Sequence, residues 1–169
     1  PVTEMITGLD LVEWQILVAD GEKIPLQQEE IIGEGYAIEC RLYAEDALNN
    51  FFPATGKILY WDPLKIEGVR YESGIKSGSE ISIYYDPMLA KIIAYAPNRK
   101  TAIRKMDYAL RHLKCLGVTT NQPFLIELLQ YDNFISGKYN TSFIEQNFDF
   151  DKFEKKQLRG HEIAVIASL

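Results

Sequence analysis

The chain has 169 residues and a mass of 19.4 kDa, with 47% hydrophobic and 25% charged residues and a formal net charge of −6. That length fits one domain of the ordinary ~100–200 residues, and the composition excludes a disordered or fibrous chain. The acidic balance argues against nucleic acid as a main partner, because phosphate binding needs a net basic face.

The two cysteines, Cys40 and Cys115, exclude a disulfide scaffold and a Cys-based zinc site. No apolar run approaches the ~20 residues that span a bilayer. The start carries no basic-then-apolar signal segment, so a reduced, soluble compartment is expected. The chain opens at Pro1 without an initiator Met and closes on an apolar run over 163–169. It therefore reads as an excised piece of a longer protein.

In chain order, Leu11, Val12, Ile16, Leu17 and Ala19 mark one side of a helix. Asp10 or Thr7 is its cap, and Gly21 and Pro25 end it. From Gly35 to Ala44 the pattern has period two. Tyr36, Ile38, Cys40 and Leu42 lie on one face, and Ala37, Glu39, Arg41 and Tyr43 on the other. That is a strand with one face on a core. Turn residues at Asn49, Asn50, Pro53 and Gly56 lead to short strands at 57–61, 68–72 and 80–84, and a longer apolar run follows at 88–95.

The pattern then changes to helical spacing. Ala102, Ile103, Met106, Ala109, Leu110 and Leu113 line one side of a helix, with Arg99, Lys100, Arg104, Lys105 and Arg111 on the other. A second helix is expected over 122–129, capped by Asn121 with Pro123 in its first turn, and a third after Thr141. Strands followed by helices predict an α+β domain: a small antiparallel sheet or barrel-like sandwich, then helices.

Taken alone, the polar motifs are weak. His112 and His161 are far apart, and no nucleophile turn or Gly-rich phosphate loop is present. The basic residues of the 99–114 helix read as a solvated face. Arg41 stands inside an otherwise apolar strand. Either it pairs with an acid such as Glu39, or it faces an anion or carbonyl ligand. Asp86, between Tyr85 and Pro87, is either a turn former or a carboxylate that orients a neighbouring arginine or a ligand.

Several ordered strings together resemble one family. Residues 1–12, PVTEMITGLDLV, look like the segment just after the catalytic Glu-His of biotin carboxylases. Residues 39–46, ECRLYAED, are similar to their Glu-(Cys/Ala)-Arg strand. FPATG at 52–56, YYDPM at 84–88 with Lys91 after it, and GVTTN at 117–121 match in order and spacing. The resemblance runs from about Pro1 to Phe148 and leans toward the propionyl- or methylcrotonyl-CoA carboxylase type of biotin-containing alpha subunit.

The resemblance implies an ATP-grasp enzyme, a ligase that uses Mg2+, ATP and bicarbonate to carboxylate N1′ of biotin on a carrier domain. It implies three parts: the end of the ATP-grasp lobe at 1–32, the biotin carboxylase C-terminal domain at 33–148, and a linker into a further region at 149–169. Arg41 matches the arginine that contacts the biotin ureido oxygen and stabilises charge on it. Asp86 matches a supporting residue of the biotin site. Thr141 and Ser142 fall in a segment bordering the nucleotide, and Arg70 matches an arginine of the dimer interface.

No metal ligand is expected in the fragment, and the catalytic base and most ATP contacts would precede Pro1. The implied partners are the carrier domain, a carboxyltransferase subunit and a second copy of the full chain, with neither nucleic acid nor membrane. The implied compartment is a bacterial cytoplasm or a mitochondrial matrix. The competing readings are a non-catalytic assembly domain and the equivalent domain of a pyruvate or urea carboxylase. An upstream Glu-His preceded by Asn-x-Arg-x-Gln-Val separates the first from an enzyme.

Overall fold

The computed structural model describes residues 1–157. The part of the expected 149–169 linker beyond residue 157, and with it His161, lies outside the described residues. Two short helices come first, α1 (Val2–Thr7) and α2 (Leu11–Ala19). Gly8 separates them in the left-handed region at φ 71°, and the Asp10 side chain caps α2 by accepting from the Val12 and Glu13 amides. A single 3₁₀ turn at Gln28–Glu30 precedes the sheet.

The strands are β1 (Tyr36–Tyr43), β2 (Glu45–Asp46), β3 (Phe52–Pro53), β4 (Gly56–Lys57), β5 (Tyr60–Asp62), β6 (Val69–Ser73), β7 (Glu80–Ile81) and β8 (Met88–Ala96). Helix α3 (Arg99–His112) follows, then β9 (Lys114–Leu116), α4 (Gln122–Leu128), α5 (Asp132–Ile135) and α6 (Phe143–Asn147). The main sheet is antiparallel with order β1-β8-β6, and two-stranded ribbons join β2 to β3, β4 to β7 and β5 to β9.

The alternation in β1 sends Ile38, Cys40 and Leu42 into the core. Their cross-strand partners on β8 are Ala94, Ile92 and Ala90, all buried. The face is closed by α3 through Ala102, Ile103, Met106, Ala109 and Leu110. This helix starts where Asn98 accepts the Thr101 amide at 2.9 Å, and Arg111 meets Asp107 four residues back at 2.8 Å. Burying Met106 and Leu110 fully contributes about 2 kcal/mol each by area removed from water. An aromatic cluster extends the core: Phe124 packs on Phe51, Phe148 and Phe153 at centroid distances of 5.0, 4.8 and 6.5 Å.

The apolar side of α2 is uncovered: no residue of α2 is buried, and Val12 and Ile16 are both 65% exposed. Several local expectations change. The strand expected over 80–84 ends at Ile81, because Ser82 Oγ accepts the Tyr84 amide and turns the chain. The short elements α1, α5 and β9 were not foreseen. Asn121 precedes α4 but makes no side-chain cap bond; its carboxamide is used elsewhere.

Candidate functional site

The face of the main sheet opposite α3 carries charges in register. Cross-strand pairing places Arg41 of β1 beside Lys91 of β8, and Lys91 beside Glu72 of β6. The next row is Glu39, Ile93 and Arg70. Helix α1 lies over that second row, and Ile93 beneath it is fully buried.

Arg41 is the most open of these groups, with its side chain 60% exposed. Its Nε donates to Glu39 Oε1 at 3.0 Å, and Glu39 itself is only 13% exposed. The ion pair allowed by their two-residue spacing is therefore formed. The Glu39 carboxylate, and after it the Tyr43 phenol on the same face, raise the Arg41 pKa above its ordinary value. The guanidinium is a permanent cation there.

The strand under Arg41 is fixed by a residue far away in sequence. Asn121, 5% exposed, accepts the Tyr43 amide on Oδ1 at 3.0 Å and donates from Nδ2 to the Arg41 carbonyl at 3.2 Å. The ladder between β1 and β8 shifts register between Leu42 and Tyr43, so these two backbone groups need a partner of this kind.

Arg70 is embedded in a network. Its guanidinium forks onto Glu4 of α1, Nη1 to Oε1 at 2.8 Å and Nη2 to Oε2 at 3.0 Å, and also meets Glu72 at 2.7 Å. Glu72 in turn pairs with Lys91. The Arg70 hydrogen bonds, ahead of its charge, hold the Glu4 carboxyl below the usual range. The Lys91 hydrogen bond does the same for Glu72, against a desolvation that opposes it.

Asp86 sits at the neighbouring end of the sheet. Its Oδ1 accepts the Met88 amide at 2.8 Å, a turn-forming bond, and the Pro87 carbonyl accepts the Ala44 amide at 2.9 Å. Glu45 lies close by. Its carboxyl is pushed up first by partial burial and then by the Asp86 charge. Beside this turn Ile83, Tyr84 and Tyr85 are more than three-quarters exposed.

Thr141 and Ser142 are elsewhere, at the start of α6, where the Ser142 amide donates to Asn140 Oδ1 at 3.0 Å. Asn140 and Phe143 on either side line a groove of about 330 Å³ with Lys138 and Tyr139. The structure thus brings Arg41 and Arg70 onto one sheet face, places Asp86 at its end, and sets Thr141 and Ser142 on a separate helical segment. Glu4, Glu72 and Asn121 escaped the sequence reading, as did the pairing of Lys91. Alternating charges at the outward positions of β1 and β6 were the available signal. Among the described residues no group of three or more His, Cys, Asp or Glu could hold a metal ion.

Solved biotin carboxylase domains share this fold. The chain is similar to the biotin carboxylase domain dimer of Hydrogenobacter thermophilus 2-oxoglutarate carboxylase, solved with MgADP, ADP and bicarbonate. They share 42% identity and a TM-score of 0.82, over 86% of this chain and 32% of that one. The biotin carboxylase subunit of a pyruvate carboxylase gives 41% identity and a TM-score of 0.82, over 86% and 32%.

The chain belongs to the family described as the biotin carboxylase C-terminal domain, which it matches over residues 39–146. It is 47% identical over 148 residues to the mitochondrial methylcrotonoyl-CoA carboxylase subunit alpha of Rattus norvegicus, covering 87% of this chain and 21% of that protein. With biotin carboxylase 1 of Bacillus subtilis it shares 45% identity over 145 residues, covering 86% and 32%. The chain spans about a fifth of the length of the curated alpha subunits it matches.

Proposed function

We propose that this chain is the C-terminal part of the biotin carboxylase component of a biotin-dependent acyl-CoA carboxylase alpha subunit. It works in the ATP- and bicarbonate-dependent carboxylation of biotin N1′ on a carrier domain. The observation that carries this reading is the exposed Arg41 guanidinium, held at Nε by Glu39 beside the Tyr43 phenol, on a strand whose backbone pairing Asn121 completes. In this reading residues 1–32 end an ATP-grasp lobe, 33–148 form the C-terminal domain, and 149–169 lead into a further region.

An arginine open in this way suits a carbonyl oxygen that gains negative charge. Biotin, when bound, supplies the ureido group whose N1′ accepts the carboxyl. Arg41 faces the ureido oxygen and stabilises charge there as N1′ loses its proton. Asp86 holds the turn that borders the site, through the Met88 amide. Thr141 and Ser142 border the nucleotide, whose phosphate and Mg2+ ligands belong to the ATP-grasp lobe. Arg70 contributes to a dimer surface, its guanidinium already ordered by Glu4 and Glu72. The carrier domain, a carboxyltransferase subunit and bicarbonate are the partners this role requires. The compartment in this reading is a mitochondrial matrix or a bacterial cytoplasm; one relative is named as mitochondrial and another is bacterial.

A pyruvate or 2-oxoglutarate carboxylase would use the same half-reaction, and the solved domains at TM-score 0.82 favour that as the second reading. The test is ADP release by the full-length protein, with and without free biotin and bicarbonate. Release that requires both supports the carboxylase. A folded, ATP-binding protein whose release is indifferent to both overturns it. Acceptor assays with propionyl-CoA, methylcrotonyl-CoA, pyruvate and 2-oxoglutarate then separate the two readings.

A further inference from the structure

We propose that Glu39 is the positioning residue of Arg41, holding the guanidinium side-on so that its terminal nitrogens present an open fork to the ligand. The inference rests on the assignment of Arg41 to the biotin site and adds a residue to it.

The geometry of the pair sets it apart from an ordinary surface ion pair. Glu39 Oε1 takes Nε at 3.0 Å, the nitrogen on the flank of the guanidinium rather than at its end. A carboxylate that met Arg41 end-on would occupy both terminal nitrogens, as Glu4 does with Arg70. Among the described residues no carboxylate other than Glu39 pairs with Arg41, and the remaining neighbour that acts on the guanidinium is the neutral Tyr43 phenol, which a ligand can displace or share.

The two partners also differ in cover. Glu39 is 13% exposed and Arg41 60%. The strand period places Glu39 two residues from Arg41 on the same face, beside the fully buried Ile93. Helix α1 closes over it. The acid is therefore fixed by packing while the arginine reaches into the open, so the ordering cost of the pair falls on Arg41 alone.

The neighbouring cation is managed as well. Lys91 stands directly opposite Arg41 on β8, and its ammonium is drawn the other way by Glu72 of β6. Glu39 is left to serve Arg41. A pair this exposed adds little stability, so its consequence is where it points Arg41.

The test is a double-mutant cycle in the full-length carboxylase, read as free-biotin-dependent ADP release with kcat and KM for biotin and ATP. E39Q keeps the shape and removes the charge. It is expected to lower kcat with biotin by ~10–100-fold, the range for losing a group that orients a binding residue, and to leave the KM for ATP unchanged. R41Q is expected to lose ~10²-fold or more. The E39Q/R41Q protein should match R41Q alone, because Glu39 acts only through Arg41.

Wild-type turnover in E39Q beside an impaired R41Q overturns the role of Glu39 and leaves Arg41 in place. So does an E39Q loss that multiplies undiminished onto R41Q, which marks a general structural effect. Wild-type turnover in R41Q overturns the underlying assignment itself. If E39Q does not fold, E39D takes its place in the same cycle, since it keeps the charge and withdraws it by one methylene.

Discussion

The Asn121 side chain and the Arg41 carbonyl, 80 positions apart in sequence, are joined by a hydrogen bond of 3.2 Å, and the same carboxamide accepts the Tyr43 amide at 3.0 Å. One buried side chain thus completes the backbone pairing of β1 on both sides of Leu42, where the ladder slips. Asn121→Leu leaves one donor and one acceptor buried without partners, at a cost of roughly 1–3 kcal/mol for each. We expect a lower unfolding temperature and faster hydrogen exchange at the Tyr43 amide. Unchanged exchange at Tyr43 in the variant would show that water replaces the carboxamide there.

The hold on α1 depends on carboxylates whose pKa values are depressed in the folded state, Glu4 by Arg70 and Glu72 by Lys91. A depressed carboxylate contributes stability that is complete above its unfolded value of about 4.5 and is lost as pH falls through the folded value. Protection of the α1 amides is therefore constant from pH 7 to about 5 and declines on further acidification. Hydrogen exchange along that range measures it, and Arg70→Met removes most of the decline. A helix equally protected at pH 3 would show that apolar contacts, not the ion pairs, hold it.

Cys40 is buried in the core, and burial pushes its thiol up to about 12. Only the thiolate is a nucleophile, so Cys40 resists iodoacetamide at pH 8 while the protein is folded and reacts on unfolding. Because the folded value lies above the unfolded one, stability falls as pH rises beyond about 9.0, where the unfolded thiol ionises. Mass spectrometry of the labelled peptide follows both effects. Rapid native labelling of Cys40 would mean that β1 opens locally.

Gly117 has φ 113°, and a Cβ there would lie 2.1 Å from the Lys57 carbonyl oxygen and 2.7 Å from the Leu59 nitrogen. Backbone atoms do not yield as a flexible side chain would. Gly117→Ala is expected to destabilise the protein on the order of 3 kcal/mol or more, read as loss of soluble, protease-resistant protein. A variant with unchanged melting would mean that the ribbons of β4, β5 and β9 shift freely.

These cases show how much of the molecule was legible before the structure. The alternation of β1 and the helical spacing of α3 were readable because one face of each meets the core, and burial imposes its period on sequence. The Glu39–Arg41 pair was readable because it lies within one strand. The Arg70 network was not, since it needs the register of β6 against β8 and the path of α1, a helix of six residues that is too short to show a period. Gly117 carried no sign of a long-range contact, and Asn121 looked like a cap because local chemistry offers that role. Their actual partners, Lys57 and β1, come from elsewhere in the chain. Strand β9 pairs with β5 across more than fifty residues, beyond any local signal.

The slip between Leu42 and Tyr43 bears on how this domain tolerates change in length. Side chains alternate across β1, so losing or gaining one residue between Glu39 and Leu42 would exchange the two faces of the strand beyond that point. A deletion there would turn the Arg41 guanidinium toward Met106 and Leu110 and send Leu42 into water. A change in length is borne better in an exposed turn such as 48–50. The β1 segment admits replacement of its residues but not a change in their number.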